Sequence, residues 1–262
     1  MHFSTNSENN YQFAKWLLEV GNGTNSIDNK ILLSEFMKIL SQNLNSLIDA
    51  IFPNISRIGV CNDQYLSEQT ILSPRNEDVE YINQEILNMF PGNQCTYFSA
   101  DKALIEEGAD CNTIYPTEFL NTLNPNGMPL SKLNLKIGCP IILLRNIAPG
   151  EGLCNRNHTF IPCITLTLST SELPFIFKRR QFPIRVAFGM TINKSQGQLL
   201  KYIGLNLQTP VFTHSQLYVA LSRSTSPYSI KVLFPQDNID TTTTNIVYPK
   251  ALIPNTYEHK YF

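Results

Sequence analysis

The sequence predicts an α/β layered domain with a parallel sheet, interrupted by a small β insertion, and three observations lead there. Short apolar strand candidates alternate with helical stretches from about residue 70 onward, which is the pattern of helices packed on a parallel sheet. That alternation stops between residues 133 and 168, where β-rich runs broken by Pro and Gly show hardly any helical periodicity. The 262 residues, 42% hydrophobic and 16% charged, are enough to bury a substantial core in one or two domains.

In chain order, residues 11–20 place Phe13, Trp16, Leu17 and Val20 at helical spacing, and Gly21-Asn22-Gly23 supplies a stop. A second helix is expected over 32–52, ending before Pro53. A strand over 70–73 leads through Pro74 into a helix starting near Asn76, with Val79, Ile82, Ile86 and Phe90 along one face. A strand at 95–99, a short helix at 118–123 and a loop from Pro125 through Gly127 to Pro129 follow. Inside the insertion, 141–144 and 161–168 read as strands. The alternation then resumes with a strand at 184–190, a helix after Lys194, a strand at 203–207, a helix at 214–222 and a strand at 230–234. The four threonines from Thr241 to Thr244 open a tail expected to lack order until Val247.

Composition narrows the function classes. No long apolar run occurs, so a membrane span is not expected, and the polar start Met1–Asn10 carries no secretory signal. Cys61, Cys95, Cys111, Cys139, Cys154 and Cys163 fall at irregular intervals with no C-x-x-C pair, which gives no metal-ligand spacing. They are expected to be free thiols, mostly small buried side chains. The net charge of −1 hides an asymmetry: residues 1–130 hold 6 Lys/Arg against 16 Asp/Glu, a net of −10, and residues 131–262 hold 14 against 5, a net of +9. A basic half can neutralise phosphates, although charge imbalance by itself is more often just a solvated surface.

Two segments carry chemistry. Met190-Thr191-Ile192-Asn193-Lys194-Ser195-Gln196-Gly197-Gln198 follows an apolar strand and is expected to open a helix. Such a turn presents backbone N–H groups and short polar side chains where phosphates bind. Thr191, Asn193 and Ser195 could bond phosphate oxygens while Lys194 adds charge; an ordinary polar loop with a cap at Ser195 is the alternative. The second, Gln216-Leu217-Tyr218-Val219-Ala220-Leu221-Ser222-Arg223, is an apolar helix ending in Arg223. A guanidinium there could reach a γ-phosphate across a cleft, or merely complement the helix end.

Together, in this order and about 25 residues apart, the two segments resemble motifs V and VI of superfamily 1B helicases. Further blocks are similar to the petite-integration-frequency and Helitron helicase-like family of that superfamily. They are Phe13-Ala14-Lys15-Trp16-Leu17-Leu18 with Gly21-Asn22-Gly23-Thr24, Ile71-Leu72-Ser73-Pro74-Arg75-Asn76-Glu77-Asp78-Val79, Tyr115-Pro116-Thr117-Glu118-Phe119-Leu120, and Leu143-Leu144-Arg145-Asn146 followed by Gly152-Leu153-Cys154-Asn155. The resemblance covers most of residues 11–236. It implies a RecA-like second motor domain of the P-loop NTPase type, over 61–130 and 183–236, with a small β-barrel insertion over 131–182. Residues 1–60 would then be connecting helices from the end of a first motor domain, and 237–262 a C-terminal tail. The family uses ATP and Mg²⁺ to move along single-stranded DNA in the 5′ to 3′ direction, and a nuclear location would follow. By position, Thr191, Asn193, Lys194 and Ser195 match the motif V residues that face the DNA backbone, and Gly197 and Gln198 match its nucleotide-facing end. Arg223 matches the arginine finger, with Tyr218 and Ser222 supporting it. Asn76 and Val79 belong to motif IV.

Two departures stand out. No G-x-x-x-x-G-K-[ST] occurs, no lysine follows a glycine, and no apolar strand ends in Asp-Glu, so the triphosphate cradle and magnesium carboxylates of phosphoryl transfer are absent from this sequence. At His158-Thr159-Phe160-Ile161 the sequence passes straight from the Leu153-Cys154-Asn155 block to Ile161-Pro162-Cys163, so the barrel is expected to be curtailed. The sequence therefore reads as the C-terminal motor half of a DNA helicase, inactive alone, with a first motor domain supplied in trans. The alternatives are a catalytically silent module binding single-stranded DNA or a partner helicase, and an α/β domain with no surviving activity.

Overall fold

Residues 69–73 are buried at every position, and the sheet of the larger half of the molecule is built around them. The computed structural model describes residues 3–104, 114–145, 160–168, 173–236, 238 and 240–248. The chain divides into two compact units, one formed by Met1–Met89 with Phe188–Phe262, the other by Phe90–Ala187.

The first unit opens with α1 (Phe3–Asn22), whose Phe13 and Val20 are buried as the spacing predicts. The helix expected over 32–52 forms only in its last part. Instead β1 (Lys30–Leu32) and a 3₁₀ turn (Glu35–Met37) precede α2 (Leu44–Ile51). The break has a local cause: the Asn43 side chain accepts a hydrogen bond from the Ser46 N–H at 2.8 Å, the capping geometry that starts a helix. After α3 (Asp63–Ser67) come β2 (Gln69–Ser73) and α4 (Asn76–Met89), which buries Ile82, Ile86 and Leu87.

The second unit is antiparallel. β3 (Gln94–Phe98) pairs with β5 (Lys132–Lys136) beyond β4 (Ala100–Leu104) and α5 (Thr117–Thr122). β6 (Ile141–Leu143) pairs with β9 (Ile184–Val186), and β7 (Ile164–Leu168) and β4 flank β8 (Ile176–Gln181). Its core gathers Ala103, Leu120, Met128, Leu166, Phe175 and Phe177. The strand expected at 95–99 thus belongs to this unit and not to the parallel sheet, so the second unit takes in 90–130 along with the 131–182 read as insertion. The block Gly152-Leu153-Cys154-Asn155, with Asn146 and His158-Thr159, lies outside the described residues.

The chain returns to the first unit with β10 (Gly189–Thr191), β11 (Tyr202–Asn206), α6 (Gln216–Leu221), β12 (Ile230–Leu233) and β13 (Thr242–Thr244). The strand expected at 184–190 is therefore two strands in two sheets. The four-stranded sheet has order β10-β2-β11-β12 and is parallel throughout. On one face Gly204 meets Leu47 and Ile51 of α2; on the other, Leu72, Ile203 and Leu205 join Val20 of α1 and Leu217 and Leu221 of α6. Side chains alternate across a strand, so the two faces of β11 recruit different helices.

Two further expectations are corrected, and one pattern of the sequence does not carry over to the fold. The threonines of the tail are ordered: Thr242–Thr244 pair antiparallel with Lys30–Leu32, and the Thr241 hydroxyl donates to the Leu33 carbonyl at 2.8 Å. The described cysteines Cys61, Cys95, Cys139 and Cys163 are free, but none is buried, and Cys95 sits exposed on β3. Cys111 and Cys154 lie outside the described residues. The charge asymmetry between sequence halves does not map onto the units. Phe90–Ala187 carries 9 Lys/Arg against 7 Asp/Glu and the rest of the chain 11 against 14, because the fold takes each unit from both halves. No helix among the described residues is long and apolar enough to cross a membrane.

Candidate functional site

β10 ends at Thr191, and the chain turns at the carboxyl end of the parallel sheet, the edge where α/β sheets place ligands. The expected helix after Lys194 does not form. Residues Ile192–Ser195 make a single 3₁₀ turn, and Gly197 at φ +86° carries the backbone into the left-handed region, which ends helical winding. The helix N-terminus invoked for phosphate binding is thus not present. What remains is the exposed turn itself, closed by the Gln198 N–H donating to the Ser195 carbonyl at 3.0 Å.

The four residues matched to the DNA face divide into two pairs. Asn193 and Lys194 are exposed at the apex, whereas Thr191 and Ser195 are buried. The Ser195 hydroxyl donates to the Ile192 carbonyl at 2.7 Å, so it holds the turn and is not presented to an outside phosphate. Gly197 and Gln198 are exposed beside them.

Arg223 follows α6 and folds back onto this turn. Its Nε donates to the Val219 carbonyl at 2.9 Å, its Nη1 to the carbonyls of Ser195 at 3.4 Å and Gln198 at 3.2 Å, and its Nη2 to the Ser222 hydroxyl at 2.8 Å. The Leu200 N–H donates to the Arg223 carbonyl at 2.9 Å. Side chain and backbone of one residue therefore strap the end of α6 to the 195–200 segment. Ser222 is brought to Arg223, and its hydroxyl also donates to Val219 O at 3.0 Å. Tyr218 is not: its ring lies against Gly21 of α1, where an added Cβ would stand 3.1 Å from the ring edge.

Gln216, given no separate role from sequence, is 1% exposed and holds the approach to α6: its side-chain carbonyl accepts from the N–H groups of Phe212 at 3.0 Å and Thr213 at 3.4 Å. An amide in an apolar helix was the available signal. Beside Asn76 and Val79 in sequence order, the Ser73 hydroxyl donates to the Asp78 carboxylate at 3.1 Å at the start of α4. Among the described residues no group of three His, Cys, Asp or Glu could hold a metal ion.

Comparison with known proteins shows what the chain is similar to. The model of the 2B domain of the DNA helicase Pif1 matches residues 118–161. The chain is similar to the ATP-dependent DNA helicase Pif1 of Campylobacter jejuni, 44% identical over 228 residues that make up 74% of this chain and 47% of that protein. Among solved structures it shares the fold of the Pif1 helicase from Candida albicans, with a TM-score of 0.55 and 20% identity over 92% of this chain and 56% of that one. It likewise matches the Bacteroides Pif1 helicase in complex with ADP-AlF3 and ssDNA, with a TM-score of 0.50 and 19% identity, covering 92% and 52%. The chain spans between a third and about half the length of the curated relatives that align with three quarters of it.

Proposed function

We propose, from the premise that this chain belongs to the Pif1 family of DNA helicases and corresponds to part of its members' length, that it supplies the second motor half of an ATP-dependent 5′ to 3′ DNA helicase. Within the first unit, residues 61–89 and 188–236 belong to the RecA-like second motor domain, 1–60 are the connecting helices and 237–262 the C-terminal tail, and the second unit holds the curtailed β-barrel insertion. Asn193 and Lys194 contact the backbone of single-stranded DNA, on a turn that the Ser195 hydroxyl holds from inside. Gly197, Gln198 and Ser222 form the nucleotide-facing side, Arg223 is the arginine finger, and Tyr218, matched to that side by position, packs instead against Gly21. A nuclear location goes with this reading.

The observation that supports it most is the meeting of Arg223 with the 195–198 turn at the carboxyl edge of the parallel sheet. The strand-facing and nucleotide-facing segments, separate in sequence, are bonded to each other. Of the ATP and Mg²⁺ that the family uses, the residues here fit only one part. Arg223 can meet a phosphoryl group, since all four of its acceptors are neutral oxygens, while no cluster for magnesium exists among the described residues. The triphosphate and its metal would be held by a first motor domain, joined or supplied in trans.

Titration of the chain with labelled oligothymidylate at several salt concentrations tests the DNA contact. With about three to five phosphates neutralised, log K falls with log salt at a slope of roughly −2 to −4, and Lys194→Ala weakens binding and flattens the slope. Affinity independent of salt, or unchanged by Lys194→Ala, would remove the turn from the DNA interface. A chain that binds DNA but restores no hydrolysis beside a first motor domain would be a silent DNA-binding module.

A further inference from the structure

The position of Arg223 is not that of a group waiting for a nucleotide. Its Nε, Nη1 and Nη2 are all engaged by acceptors of its own chain, two of them carbonyls of the turn that carries Asn193 and Lys194. An arginine that only completed the end of α6 would need Val219 O and Ser222 Oγ and nothing more. The bonds to Ser195 O and Gln198 O, 28 and 25 residues away in sequence, serve a second purpose.

We propose that Arg223 is a two-position switch: seated on the 195–198 turn it closes that turn and is withheld from the nucleotide, and strand contact at Asn193 and Lys194 releases it. The inference rests on the DNA-contact reading of this turn. Three features of the site carry it. The seat is made of neutral oxygens, whereas a phosphoryl group offers a full countercharge and oxygens that match the planar guanidinium fork, so the seated position yields to an anion. One of those oxygens, Ser195 O, also accepts the Gln198 N–H that closes the turn, and its bond from Nη1 is the longest of the four at 3.4 Å, so a small shift of the turn breaks it first. Gly197 has open space where a Cβ would be, which leaves the turn room to move. Because coupling is reciprocal, an unseated Arg223 also changes how the turn holds a strand.

The decisive experiment follows the Arg223 Nε–H and the amides of Gln198 and Leu200 in the wild-type chain, by ¹⁵N spectroscopy and hydrogen exchange, with and without a twelve-residue oligothymidylate. The switch requires the oligonucleotide to shift the Arg223 Nε–H and to speed exchange at Gln198 and Leu200 by ~5-fold or more. In the free protein, Arg223→Gln should produce the same faster exchange and alter the DNA dissociation constant by a similar factor. If the oligonucleotide binds and Lys194→Ala weakens it, yet the Arg223 and turn signals stay as they were, the switch is overturned while the DNA contact stands. No binding at all overturns the DNA contact and the switch with it. Should Arg223→Gln not fold, the wild-type signals alone decide.

Discussion

Asp101 and Arg179 form a fully buried, two-pronged ion pair inside the second unit. The Arg179 Nη2 donates to Oδ2 at 2.6 Å and its Nε to Oδ1 at 2.9 Å, both side chains having no exposure. The remaining guanidinium N–H groups reach the carbonyls of Pro129 at 3.0 Å and Leu120 at 3.2 Å, and the Phe177 ring lies 5.0 Å from its centre. One arginine on β8 thereby ties β4, α5 and the 129 turn. Asp101→Asn leaves the guanidinium buried without its countercharge and should cost about 3–5 kcal/mol. Replacing both residues by Leu and Met should cost much less. Chemical denaturation followed by circular dichroism measures this, and a midpoint for Asp101→Asn equal to the parent's contradicts it.

Gly204 on β11 sits under α2. A Cβ there would stand 2.9 Å from Ile51 Cγ1, 3.0 Å from Ile71 Cγ1 and 3.3 Å from Leu47 Cδ1. Gly204→Ala should therefore overpack this face and destabilise by about 1–3 kcal/mol, lowering Tm by ~2–4 °C per kcal/mol. An unchanged melting temperature would mean that α2 moves aside freely.

Burial, reinforced by the nearby Cys61 and partly opposed by a hydrogen bond with Gln69, pushes the Tyr65 hydroxyl up to about 12. That hydroxyl donates to the Pro53 carbonyl at 2.9 Å. The folded chain then holds this proton more tightly than the unfolded chain, whose tyrosines titrate near ~10. The associated stability is fully present below that pH and is lost as pH rises toward about 12. Between those limits the denaturation midpoint of Tyr65→Phe should fall less steeply with pH than the parent's. Parallel curves would show that Tyr65 does not contribute.

The purified 262-residue chain should hydrolyse no ATP with or without DNA, since its sequence has no phosphate-binding loop. Joined to or mixed with a first motor domain from a close relative, it should restore DNA-stimulated hydrolysis, and Arg223→Lys should remove most of that, by ~10³-fold or more. Lysine keeps the charge and loses the planar fork. Equal turnover by the lysine variant would reduce Arg223 to the strap seen between α6 and the turn.

By itself the sequence determined the local elements of the first unit: the apolar spacing of α1 and α4, the buried runs that become β2, β11 and β12, and the order of the two chemistry-bearing segments. These rest on near-neighbour periodicity, which side-chain direction within one element dictates. Within the candidate site it marked Asn193, Lys194 and Arg223, but not that Ser195 turns its hydroxyl inward to Ile192 O. Only the tertiary structure decided which sheet each strand joins. It sent Gln94–Phe98 to Lys132–Lys136, divided residues 184–191 between two sheets, and paired Thr242–Thr244 with Lys30–Leu32. It also seated Arg223 on carbonyls far away in the chain. An apolar strand carries no label for its partner, and a backbone carbonyl carries no residue identity. Such pairings are settled by long-range packing once distant segments meet.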